Sequence, residues 1–179
     1  EYYTTEGVIS TVLKKYPGDI GCVFPLMMNV VHVAPGEALY LQPDTLHAYV
    51  KGNGMELMTA SDNVLRGGLT PKRIDLKELS SLLYFGSSNP SNVEKREKDG
   101  IINYLTPSPD FMLSRLDDGI FSIPIDIDAI VIVEKGSAEV RDYGKTVKLE
   151  KGEVCFIEKG SSASISVSGT LYMASEAYN

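Results

Sequence analysis

The chain has 179 residues, 43% hydrophobic and 23% charged, with a formal net charge of −7 and a pI of about 4.9. This is a globular composition, long enough for one large domain or two small ones. The acidic balance argues against nucleic-acid and anionic-membrane partners, which are held by surplus Lys and Arg, and no apolar run approaches the roughly 20 residues that cross a bilayer. Two cysteines, Cys22 and Cys155, lie far apart among apolar neighbours, the pattern of buried thiols in a reducing compartment. A soluble, cytoplasmic protein is expected, and nothing in the sequence favours a disulfide. Glu1 stands where an initiator Met would, directly before helix-like sequence, so a piece of a longer protein is expected.

Residues 5–15 (TEGVISTVLKK) put Val8, Ile9, Val12 and Leu13 on one stripe, with Thr4 or Thr5 as N-cap and Lys14 and Lys15 in the last turn; this predicts a short amphipathic helix. Tyr16-Pro17-Gly18-Asp19 stops it. Residues 20–34 are rich in Val, Met and Phe around Pro25, which predicts an edge strand or two strands broken at the proline. Alternation through Val31, Val33, Leu39 and Leu41 predicts two short strands joined at Pro35-Gly36. A further pair, HAYV and MELMTA, is expected across Lys51-Gly52-Asn53-Gly54, and Thr70-Pro71 closes the region. Asp75 caps a second helix, with Glu78 completing a capping box and Leu76, Leu79, Leu82 and Leu83 as its apolar face. Residues 86–100 turn to Ser, Asn, Pro and charge, the expected domain boundary. Beyond them, short strands punctuated by glycine predict an antiparallel sandwich or jelly roll.

An internal echo links the halves. Residues 33–41 (VAPGEALYL) match residues 149–157 (LEKGEVCFI) in the Gly-Glu step, the aromatic and the aliphatic positions. Extended without gaps, this register sets His47 opposite Ala163, so the second copy would keep the scaffold and lack the ligand. A β-turn after a strand also produces such a pattern.

The stretch after the echo carries the chemistry. His47 is a metal-ligand candidate or a capped turn histidine, whereas His32, between Val31 and Val33, is expected to face outward. Arg66 and Lys72 suit oxyanions and phosphate, or are solvated cations. Glu56, between Met55 and Leu57, is either turned inward and poised for proton transfer or an outward strand residue. Tyr49 shares a strand face with His47 or packs in a core, and Asp62 and Asn63 touch substrate or cap a turn.

Pro35-Gly36-Glu37-Ala38, His47-Ala48-Tyr49, Ala60-Ser61-Asp62-Asn63 and Arg66-Gly67-Gly68-Leu69-Thr70-Pro71-Lys72, with Tyr16-Pro17-Gly18-Asp19-Ile20-Gly21 upstream, resemble the C-terminal part of type I phosphomannose isomerase, a zinc-dependent cupin enzyme. The resemblance is strong over about residues 16–85, and rests on strand pattern alone over 111–179. It implies a mainly β cupin or jelly-roll fold with two short helices, in which a partial first roll is followed by a complete, degenerate second roll. Residues 1–18 would end a helical segment, 19–72 form part of the catalytic cupin roll, 73–110 be connector helix and linker, and 111–179 be the non-catalytic roll.

The resemblance further implies interconversion of mannose 6-phosphate and fructose 6-phosphate through a zinc-assisted cis-enediol. His47 would bind Zn²⁺, Arg66 and Glu56 would be catalytic, and Lys72, Tyr49 and Asn63 would bind the sugar phosphate. The family takes its other ligands from a Gln-x-His pair and a Glu in an N-terminal segment, and this chain has no Gln-x-His. Since catalytic zinc needs about three protein ligands, the remaining ligands are expected upstream, and the chain alone should isomerise little. The alternative is a non-catalytic cupin module for a sugar phosphate or a protein partner. Association through exposed strand edges is a further expectation.

Overall fold

The computed structural model describes residues 4–61, 64–86, 90, 92–124 and 126–177. It divides into two compact units: Glu1–Gly54 with Ala60–Asn92, and Met55–Thr59 with Val93–Asn179.

In the first unit, helix α1 spans Thr5–Lys15, and the Thr4 side chain accepts from the Gly7 amide as N-cap. Lys14 and Lys15 in the last turn complement the helix dipole. A 3₁₀ helix, Ile20–Leu26, follows, capped by Asp19 through a 2.7 Å bond from the Gly21 amide. A strand is expected here from the Val, Met and Phe content. The Asp19 cap, Gly21 and the fixed φ of Pro25 instead favour a tight turn, and the helix buries Gly21, Cys22 and Pro25. It packs on α1, where Val8 and Cys22 are buried; the Cys22 thiol donates to the Tyr16 carbonyl at 3.3 Å.

The strand pairs expected between residues 29 and 60 do not form. Among the described residues of that stretch, ladder pairing is confined to one isolated bridge, Leu39 with Asn92. Alternation gives a strand a face, but a ladder also needs a neighbouring strand in register. What does form is the Pro-Gly corner. The Ala34 amide donates to Glu37 Oε2 at 2.9 Å and the Glu37 amide to the Ala34 carbonyl at 3.0 Å, with Gly36 at φ 79°. Helix α2 spans Leu76–Leu82 with Asp75 as N-cap, accepting from the Glu78 amide. Of its expected apolar face Leu79 alone is buried; Leu76 and Leu82 are exposed.

The second unit is one antiparallel sheet of seven strands: β1 (Glu94–Lys98), β2 (Ile101–Leu105), β3 (Met112–Ser122), β4 (Ala129–Asp142), β5 (Lys145–Glu150), β6 (Val154–Ile157) and β7 (Ser164–Ser175). The order is β1-β2-β3-β7-β4-β5, with β6 on the first half of β4 and β5 on its second half. Register shifts between Val133 and Lys135 in β4 and between Asp117 and Gly119 in β3 bend the sheet. At the first shift, Gly136 (φ 76°) and Gly169 (φ 123°) cross so closely that a Cβ on either would overlap the carbonyl of Ser168 or Lys135.

Alternate side chains enter one core: Ala129, Val131 and Val133 from β4, Ile165, Val167, Leu171 and Met173 from β7, joined by Leu116, Leu149, Ile157 and Ala163. The roll interior is thus filled with aliphatic side chains. Asp118 accepts from the Gly169 amide across β3 and β7, and Asp128 and Asp142 accept from the amides of Lys159 and Ser162 in the loop between β6 and β7.

The echo reappears as geometry. In the second unit the Glu150 amide donates to Glu153 Oε2 at 2.8 Å and the Glu153 amide to the Glu150 carbonyl at 2.9 Å, with Gly152 at φ 85°. Both corners therefore close with the same two hydrogen bonds. Ala163, the counterpart of His47, is 3% exposed within the core.

Candidate functional site

His47 Nδ1 lies 2.8 Å from the Thr45 carbonyl oxygen. A carbonyl accepts only, so Nδ1 carries the proton and the Nε2 lone pair is left for a metal, the way metal-binding histidines are commonly oriented. The ring is exposed among the described residues. Tyr49, 74% exposed, meets the His47 ring edge-on at 6.2 Å. His32 is exposed, as expected.

Arg66 and Lys72 are both exposed. The backbone between them is held from three sides. Ideal Cβ positions at Gly67, Gly68 and Gly21 meet, respectively, the Leu46 side chain, Phe24 Cε2 at 3.0 Å and Leu69 Cγ at 3.1 Å. Leu69 itself adopts φ 51°, a left-handed backbone uncommon for a leucine. The Lys72 amide donates to Thr70 Oγ1 at 3.2 Å. The His47 segment and the Arg66 segment thus meet where Leu46 covers Gly67.

Glu56 belongs to the second unit, in the strip Met55–Thr59, which Thr59 fastens by donating to Asp110 Oδ2 at 3.1 Å. It is exposed between half-buried Met55 and Leu57, so burial does not poise it for proton transfer. Asn63, with Asp62, lies outside the described residues. Residue-type reasoning missed Thr45, whose carbonyl sets the His47 tautomer, and Leu46, whose role is visible only once Gly67 is seen beneath it. The paired glycines after Arg66 are the sequence signal that points there.

Among the described residues no group of three His, Cys, Asp or Glu is gathered as a metal site. His47 fits zinc as one imidazole ligand, and the described residues do not supply the rest. The second unit's polar cluster is self-satisfied. Arg115 donates from Nε and Nη2 to Asp117 Oδ1 at 3.0 and 2.9 Å, and Thr170 donates to the same oxygen at 2.9 Å. Burial, then the Tyr172 phenol, pushes Tyr104 above the usual tyrosine range, and burial raises the Cys155 thiol. Both cysteines are free.

A bent antiparallel sheet closed on an aliphatic core, joined in sequence to a histidine-bearing segment, defines the cupin class. A family model described as "Ethanolamine utilisation protein EutQ" matches residues 57–178, more than half of the chain, and the chain belongs to that family. It is also similar to mannose-6-phosphate isomerase. The Salmonella typhimurium protein is 49% identical over 77 residues, 43% of this chain and 20% of that protein. The Rattus norvegicus protein is 45% identical over 75 residues, 42% and 18%. A solved structure of the Salmonella typhimurium enzyme bound to its substrate fructose 6-phosphate and zinc superposes with a TM-score of 0.82 at 34% identity, covering 95% of this chain and 45% of that one. The chain therefore spans about a fifth of the length of these curated relatives. Among the described residues no helix is long and apolar enough to cross a membrane.

Proposed function

We propose that this chain contributes to a zinc-dependent mannose-6-phosphate isomerase, supplying one metal ligand and the anion-binding arm of the active site. The observation that carries the reading is the Leu46–Gly67 contact, which brings a histidine with a free Nε2 beside the segment bearing Arg66 and Lys72. The likeness to a relative whose structure holds fructose 6-phosphate and zinc supports it.

Zinc, when bound, would supply Lewis-acid polarisation of the sugar's oxygens, and His47 Nε2 would be this chain's ligand to it. Arg66, always charged and forked, stabilises the enediolate that develops as a proton moves between C2 and C1. Lys72 neutralises the phosphate as a point charge, and Tyr49 and Asn63 bound the sugar. Reduced cysteines and the absence of a membrane helix among the described residues suit a cytoplasmic enzyme.

The test is calorimetric titration of the chain with fructose 6-phosphate in the presence of Zn²⁺. Arg66→Gln and Lys72→Gln should each weaken binding by about 10- to 100-fold, the worth of one charge-assisted hydrogen bond; unchanged affinity in both removes this segment from the site. A second reading, a non-catalytic cupin module, is favoured by the family match, whose description names no isomerase. It predicts no response to His47→Ala or to Zn²⁺.

A further inference from the structure

The geometry points to Leu46 as a positioning residue that holds the His47 and Arg66 segments in register, an inference that rests on the isomerase reading. Gly67 lies outside the left-handed region, so its backbone does not demand a glycine. On conformational grounds an alanine there would stabilise the protein by restricting the unfolded chain. What meets the methyl is Leu46: a Cβ at Gly67 would overlap Leu46 Cδ1 and sit 3.5 Å from Cγ and Cδ2, so an alanine there makes the Leu46 side chain shift. The side chain that must move is the residue immediately before the proposed metal ligand.

The neighbouring contacts fix the rest of the segment to a different element. Phe24 approaches Gly68, and Leu69, in its left-handed backbone, seats its side chain against Gly21, both in the 3₁₀ helix. Residues 67–69 are thus clamped between Leu46 and that helix, while the cations on either side, Arg66 and Lys72, are exposed. A fixed floor beneath exposed charged groups lowers the ordering cost of gripping an anion. Of the clamp's three contacts, Leu46–Gly67 is the one that reaches the histidine segment.

The chain contains two histidines, so ring ¹H–¹³C spectra of His47 can be read against His32 as an internal reference, with His47→Gln giving the assignment. Gly67→Ala should shift the His47 ring signals, leave those of His32 in place, and weaken fructose 6-phosphate binding about tenfold. Leu46→Ala combined with Gly67→Ala gives the new methyl room; it should return the His47 signals toward their original positions and bring affinity back to within about threefold. Should Gly67→Ala fail to fold, Leu46→Ala alone should give the same shift and the same weakening, with recovery in the volume-conserving Leu46→Met. Unmoved His47 signals, a loss that the double substitution does not recover, or moved signals with unchanged affinity would each overturn the role of Leu46. No fructose 6-phosphate binding by the unsubstituted chain would overturn the isomerase reading itself, and the positioning role with it.

Discussion

The Tyr104 phenol is held above the usual tyrosine range, because burial and the neighbouring Tyr172 phenol both favour its neutral form. A group whose folded pKa is raised stabilises the fold fully below its unfolded pKa, near 10 for tyrosine, and that contribution is lost as pH rises through the folded value. Tyr104 should ionise late in an ultraviolet pH titration. Tyr104→Phe should delete that late phase and make the second unit less sensitive to alkaline unfolding; a titration with no late phenol would contradict this. Glu139 runs the opposite way. Its hydrogen bond from Arg141, with Lys148 nearby, holds its carboxyl below the usual range, so its contribution is present at neutral pH and fades as pH falls through the folded value. Because the pair is exposed to solvent, that contribution is small.

At the scale of elements, what could be read from the sequence followed local chemistry. Helices α1 and α2 are legible because Thr4 and Asp75 cap them, and β3 to β7 because apolar residues alternate between glycine turns; β1 (EKREK) and β2 fall in the stretch read as linker, and charge hides the first of them. The 3₁₀ helix reads as a strand, since Ile20–Leu26 is apolar and short, and only the Asp19 cap and the packing of Gly21 against Leu69 decide otherwise. Residues 29–60 fail for a different reason: alternation supplies a face for a sheet, and a sheet also needs partners. Of the proposed site, His47, Arg66 and Lys72 are offered by residue type alone. The site was illegible where a backbone carbonyl or a missing Cβ does the positioning, as at Thr45 and Gly67.

The bend of β4 offers a test at the same scale. Gly136→Ala should destabilise the second unit by about 2–4 kcal/mol, combining a left-handed backbone with a steric clash. Gly144→Ala, at nearly the same φ of 77° but with open space around it, should cost about 1–2 kcal/mol. Urea midpoints at constant slope measure both; equal losses would mean that the crossing at Ser168 carries no energy.

For the whole molecule, β1 is an edge of the sheet, and every residue of β1 (EKREK) is charged and exposed. Charge along an edge discourages a second chain from adding to it. Lys95→Val with Glu97→Val should therefore raise the apparent mass in light scattering relative to the unsubstituted chain, and an unchanged mass would show that the edge is guarded by something else. The exposed Ile130–Phe156 pair on the outer face of the sheet lies away from that edge and should be indifferent to the substitution.

The two matching corners differ in one respect that matters for how the chain acquires its shape. The corner at Glu153 leads into a strand of a seven-stranded sheet, whereas the one at Glu37 precedes an isolated bridge at Leu39, yet both reach the same closed form. Four residues with a carboxylate at the end and a glycine before it therefore close by the same local clasp in two settings. Contacts so near in sequence can shut on the order of tens of nanoseconds, long before distant strands meet, so each half of the polypeptide would enter folding with its first reversal of direction already made.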